Sequence, residues 1–140
     1  MTQNISKSRL WTSRILSGIV ILFMLLDSIF KIIPNQEVAT ASAALGFSAH
    51  HIPIIGILGI CCIILYALPR TALFGAILLT AYFGGVVATH FRLNNPLFSH
   101  TLFPVYLALF AWGGLWLRNG RLRELMHALK KHIGCLQGRM

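Results

Sequence analysis

The sequence predicts an all-α, integral membrane four-helix bundle with a basic amphipathic C-terminal helix, and three observations carry that expectation. The first is composition. Of the 140 residues 56% are hydrophobic and 11% charged, with a mean hydropathy of +0.74, whereas a soluble domain carries about 25% charged residues. The second is a set of four apolar runs punctuated by Pro, Gly and Asn, each near the length that crosses a bilayer. The third is charge placement. Ten of the twelve Lys and Arg lie in residues 1–14, the 69–71 turn or the 118–140 tail, beside the apolar runs rather than within them.

The chain reads as a single membrane domain. Residues 1–14 hold Lys7, Arg9 and Arg14 around Trp11, the pattern of a cytoplasmic, interface-anchored start. The first span is expected over 15–33, ended by Pro34. Ala39-Thr40-Ala41 imitates a signal cleavage site, but Asp27 and Lys31 interrupt the run ahead of it, so the span is expected to stay uncleaved. Residues 35–50 lack Lys and Arg and suit a short interfacial helix over about 38–45, closed by Gly46. The second span is expected over 53–68, with Pro53 in its first turn.

The third span, 72–91, organises the rest. Ala72, Ala76, Thr80, Gly84 and Ala88 recur every fourth residue, a small-residue stripe along which another helix could approach closely. Tyr82 and Thr89 fall on the opposite side, flanked by His90 and Arg92. Asn94-Asn95-Pro96 breaks this helix. The fourth span is expected over 101–117, with Pro104 in its first turn or as a mild kink and Trp112 and Trp116 toward its end. In the tail, Leu122, Leu125, Met126, Leu129, Ile133 and Leu136 share one helical face among basic residues. That pattern suits a helix lying on an anionic lipid surface, or a plain extension of span four.

The basic residues predict the orientation. With both termini cytoplasmic, the N-terminus, the 69–71 turn and the tail are all inside, and Lys31 and Arg92 sit at the outer ends of spans one and three. The formal charge of +9 is explained by topology and anionic lipid. Nucleic acid is not an expected partner, because no aromatic-interleaved basic groove or recognition motif is present.

This topology gathers the ionisable residues at the outer side. Asp27 lies about 10 Å below Pro34 along the helix axis, and a carboxylate at that depth needs a partner. Lys31, one turn above it, is the nearest candidate, followed by Arg92 or His90 from span three. Two readings stand beside each other. In one, Asp27 with Lys31 or Arg92 is an ion pair that sets helix register. In the other, Asp27, Lys31, Tyr82, Thr89, His90 and Arg92 line a polar pocket, roofed by 35–50 and floored by Tyr82 and Phe23, for a quinone-like or small polar ligand. Ala76, Thr80, Gly84 and Ala88 are assigned to helix packing.

Other chemistries have little support. His90 with His50, His51 or His100 invites a metal or haem reading, yet no two histidines lie at i, i+4 within one span, so neither group is expected. Cys61, Cys62 and Cys135 form no CxxC. Ser28 adjoins Asp27 without a nucleophile-elbow motif, and no phosphate-cradling loop exists.

The string itself also carries a resemblance. Gly75-Ala76-Ile77-Leu78-Leu79-Thr80, Tyr82, Gly84-Gly85, Ala88-Thr89-His90 and Arg92 resemble the third-span signature of the DoxX-like family. Leu65-Tyr66-Ala67-Leu68-Pro69-Arg70-Thr71, Pro96, Leu102-Phe103-Pro104, Trp112 and Leu117-Arg118 are similar to its flanking segments, and the segment from Asp27 to Ile32 to its first-span end. The resemblance implies a small four-helix protein of the bacterial inner membrane. It further implies an accessory subunit of a membrane redox system, since the wider family includes a subunit of a quinone-reducing thiosulfate oxidoreductase. The cofactor is left unassigned, with a quinone the candidate considered, and the expected partners are the lipid bilayer and a membrane redox protein. An autonomous enzyme is not expected, because no cofactor motif is present. A small-solute or proton transport protein using Asp27, Lys31 and His90 is the alternative, as is a non-catalytic scaffold whose glycine-rich faces bind partners or further copies of the chain.

Overall fold

The computed structural model describes residues 6–96, 101–120, 122–124, 128 and 134. Among these the regular structure is all helical, with no strand. The elements are α1 (Lys7–Ile32), α2 (Gln36–Ala44), α3 (His51–Ala67), α4 (Ala72–Arg92) and α5 (Phe103–Arg118). The tail residues Leu125, Met126, Leu129, Ile133 and Leu136, and His100, lie outside the described residues, whereas Leu122 packs against the core.

Local chemistry sets the boundaries. Helix α1 begins at Lys7, ahead of the expected apolar start at 15, because no Pro or Gly stands between its basic first turns and the apolar run. Asn35 caps α2 by accepting from the Glu37 N–H (2.9 Å). The helix ends in a Schellman turn. Gly46, at φ +84°, donates to Ala43 O (2.9 Å) and Phe47 to Ser42 O (3.0 Å). Asn94 takes the same left-handed conformation, φ +53°, just past α4. Helix α3 starts at His51, so Pro53 is in its first turn. Pro104 likewise occupies the first turn of α5 and is no kink.

The four longer helices pack in a ring. Helix α1 lies against α3 and α5, and α4 lies against the same two, which puts α1 and α4 on a diagonal. The seams are made by glycine and hydroxyl residues. A Cβ on Gly56 would fall 2.8 Å from Ser28 O of α1, and one on Gly114 would fall 3.2 Å from the Ser17 N. At the α3–α4 turn a Cβ on Gly75 would meet the backbone of Leu65 and Tyr66.

The interior is apolar, built on Val20, Met24, Ile63, Leu79, Phe83, Leu107 and Leu115, but hydroxyl and small residues share it and large apolar side chains also cover the outside. Helix α1 buries Ser13, Ser17 and Ser28 alongside Val20 and Met24, while Leu22 on its outer face is 61% exposed. Helix α4 buries Ala72, Gly75 and Ala76 with Leu79 and Phe83, while Phe74 is 66% exposed. In water the large apolar side chains would be driven inward, since burial of each contributes about 1.5–3 kcal/mol. In lipid that drive vanishes, and close packing and hydrogen bonding select small and hydroxyl-bearing interfaces instead.

Candidate functional site

A cavity of about 880 Å³ lies in the half of the helix ring nearest α2, walled by α1, α3, α4 and α5 and covered by α2. Each wall follows from helical periodicity. Helix α1 contributes Phe23, Asp27, Phe30 and Lys31, and α4 contributes Leu78, Tyr82, Gly85 and Thr89, both sets at three- and four-residue spacing. Helix α2 lays Val38, Ala41, Ser42 and Leu45 over the top, and the Schellman turn brings Phe47 back to the rim. Helix α5 adds Phe103, Pro104 and Leu107. The Phe23 and Phe103 rings meet edge to face with centroids 5.0 Å apart.

The walls are mostly apolar, with polar groups at a few points. Lys31 Nζ donates to Asp27 Oδ2 across one turn of α1, and the two side chains are 22% and 33% exposed respectively. Thr89 Oγ1 donates to Gly85 O (2.9 Å). Asn95 Nδ2 lies 2.9 Å from His90 Nδ1 and holds that ring at the rim. The Tyr82 hydroxyl is buried without a hydrogen-bond partner. A phenol in that state costs free energy unless something supplies a partner.

Five residues singled out from the sequence therefore line one space: Asp27, Lys31, Tyr82, Thr89 and His90. Arg92 is not among them. Its Nη2 reaches 3.5 Å to Leu45 O and fastens the end of α2 to the end of α4. The small-residue stripe on α4 divides. Ala72 and Ala76 are buried against neighbouring helices, whereas Thr80, Gly84 and Ala88 are exposed. Thr80 still takes part in packing, since its hydroxyl donates to Ala76 O (2.8 Å) and accepts from Trp112 Nε1 (2.8 Å). The His50 and His51 rings lie tilted against each other, centroids 3.8 Å apart, at the start of α3. Among the described residues no three of His, Cys, Asp and Glu come together as a metal site.

Sequence reasoning missed a second polar cluster, at the end of the ring opposite α2. Ser13 Oγ donates to Gly114 O (2.7 Å), Tyr66 OH donates to Ala111 O (2.8 Å) and lies 3.0 Å from Ser17 Oγ, and Arg118 Nη2 donates to Tyr66 O (2.8 Å). Together these tie α1, α3 and α5. The signal was present in the four-residue spacing of Ser13 and Ser17, which nothing in a lipid-facing helix requires. Tyr66→Phe removes one donor and leaves a buried carbonyl and hydroxyl short of a partner. It is expected to cost about 1 kcal/mol, the scale of hydrogen bonds between membrane helices, read as a lower thermal midpoint in nanodiscs with the helical circular dichroism unchanged.

Two helices, α1 and α4, are long and apolar enough to cross a membrane, at about 39 and 32 Å. Large apolar side chains on the outside of an all-helical fold suit a helical membrane protein. Within that class the chain belongs to the DoxX-like family, whose profile matches residues 15–114. No curated protein and no solved structure matches the chain.

Proposed function

We propose that this is a four-span protein of the bacterial inner membrane, both termini cytoplasmic, that binds a quinone-like amphiphile in the outer cavity. In this reading it serves as the accessory subunit of a membrane redox system, holding the ligand for a partner that carries the redox centre. The observation that carries the binding reading is the cavity itself: about 880 Å³ of mostly apolar space with Asp27, Lys31, Tyr82 and His90 on its walls. That combination suits a ligand with an apolar body and a few hydrogen-bonding atoms. The redox assignment draws on the DoxX-like membership, and is an analogy between family members rather than a deduction from the site.

Orientation is supported by charge. Lys7, Arg9, Arg14, Arg70 and Arg118 fall at the N-terminus, the α3–α4 turn and the end of α5, which are all at one end of the helix ring and suit the cytoplasmic side. The shorter helices α3 and α5, of 17 and 16 residues, would reach across with the help of their flanking turns or local bilayer thinning.

The test is direct. The protein is purified from native membranes into nanodiscs, its bound lipids are extracted and analysed for quinones, and binding of a decyl-tailed benzoquinone is titrated. A quinone recovered in proportion to protein, with saturable binding, is the expected result. Tyr82→Phe is expected to weaken binding about fivefold, the loss of one hydrogen bond worth roughly 1 kcal/mol. Recovery of no quinone together with non-saturable partitioning would overturn the reading.

A further inference from the structure

We infer that the cavity opens sideways into the bilayer through a slot between α3 and α4, and that its occupant is an uncharged amphiphile that arrives from the lipid. This rests on the ligand-binding reading above and adds to it a route, a charge and the residue that keeps the route open.

The two helices are pinned together at their inner ends, where Gly75 lets α4 lie directly on the backbone of Leu65 and Tyr66. Farther out, residues of both helices border the cavity. Leu58 of α3 and Leu78 of α4 both line the cavity, yet they are 55% and 44% exposed. Ala81 and Gly85, one turn apart on α4, are likewise both cavity-lining and exposed. A Cβ built on Gly85 would meet nothing within 4 Å. Residues that face a cavity and the outside together mark its mouth.

Each of the other seams is bridged by a side-chain contact. Ser28 of α1 sits against Gly56 and Gly59 of α3, and Trp112 reaches Thr80 between α5 and α4. At the α1–α5 seam Phe23 and Phe103 line the cavity and are each 40% exposed but meet ring to ring. Above the slot, Arg92 holds Leu45 and the α2 turn in place. Leu78 to Gly85 are the middle of the 21-residue α4, so the mouth faces hydrocarbon rather than headgroups.

The site's chemistry selects the occupant. Asp27 and Lys31 neutralise one another within α1, so that pair offers no unbalanced charge to an ionic head. The buried Tyr82 hydroxyl, without a partner, offers one hydrogen bond to a carbonyl or hydroxyl. The slot, walled by Leu58, Leu78 and Ala81, accommodates a hydrocarbon tail. The ligand class is therefore a neutral head with hydrogen-bonding oxygen on a flexible apolar chain.

Gly84 and Gly85 make the test. Both are exposed with open space at the Cβ position, but only Gly85 lines the cavity. A benzoquinone bearing a diazirine-modified decyl tail is added to full-length protein in nanodiscs, and photolabelled residues are mapped by mass spectrometry. Wild type is expected to show saturable labelling at the slot and at Tyr82. Gly85→Phe is expected to label at least about tenfold more slowly, a barrier increase of roughly 1.4 kcal/mol, while Gly84→Phe labels as wild type. If Gly85→Phe does not fold, Ala81→Leu narrows the same slot and is expected to slow labelling in the same sense. Equal rates in the slot variant and Gly84→Phe would overturn the portal and leave the binding reading standing. So would labelling of Tyr82 by a water-soluble, untailed benzoquinone carrying the diazirine on its ring as fast as by the tailed probe. Absence of saturable labelling in wild type would overturn both.

Discussion

Gly75→Ala is expected to be the most damaging single-methyl substitution in the chain, while Gly84→Ala, nine residues along the same helix, is expected to be harmless. A Cβ on Gly75 would lie 2.6 Å from the Leu65 carbonyl carbon and closer still to the Tyr66 N and Cα. All three are main-chain atoms of α3. A flexible side chain could swing away; a helix backbone cannot, so α4 must move off α3 as a body. Overpacking of a well-filled interior costs typically about 1–3 kcal/mol, and a clash with backbone belongs at or above the top of that range. The displacement would also disturb Tyr66, whose hydroxyl and carbonyl join α5 and, through Ser17, α1. At Gly84 nothing lies within 4 Å of the new methyl, and alanine's higher helix propensity contributes up to about 1 kcal/mol of stability. Thermal melting of the two variants in nanodiscs checks the pair. Equal midpoints would mean that α3 and α4 do not touch at Gly75.

Lys31→Met is expected to destabilise the protein more than the double variant Asp27→Asn/Lys31→Met. Removing the ammonium leaves the Asp27 carboxylate on an apolar cavity wall without the partner it now holds. Breaking one side of a fully buried pair costs about 3–5 kcal/mol. Here both groups retain some exposure, so a loss of roughly 1–2 kcal/mol is the reasonable scale after screening. Neutralising Asp27 in the same chain removes the orphaned charge and is expected to restore most of that loss. The sign of the interaction in a double-mutant cycle is thus the measurement. Additive effects of the two substitutions would mean that the pair is a surface contact and not a neutralised element of the cavity wall.

Much of the architecture was legible before any coordinates. The helical class followed from composition and from Pro34, Pro69 and Pro96 between apolar runs. The Asn35 cap of α2 went unread, but the end of α2 at Gly46 and the start of α3 near Pro53 followed from residues whose effects are local and act through their own backbone. The Asp27–Lys31 contact is of the same kind, because a four-residue separation on a helix brings side chains together whatever else surrounds them. Pro104 also shows the limit of that reasoning: its place in the first turn of α5 depends on where the helix begins, which the sequence left open.

The cavity belongs to the other category. It is enclosed by residues of all five helices, with α2 laid across the top, and that arrangement is not encoded by any one stretch. Gly75, Gly84 and Gly85 illustrate why. Along the chain they are alike, small residues in one apolar helix. In space Gly75 lies against a neighbouring backbone, Gly84 faces outward, and Gly85 stands at the edge of the cavity. The residues alone determined a membrane-embedded helical chain of the DoxX-like family with a charged pair near one end. Which face of each helix meets a neighbour, and which is left to enclose empty space, was decided only when long-range packing fixed the rotation and tilt of each helix, because side-chain periodicity defines faces but not what lies opposite them.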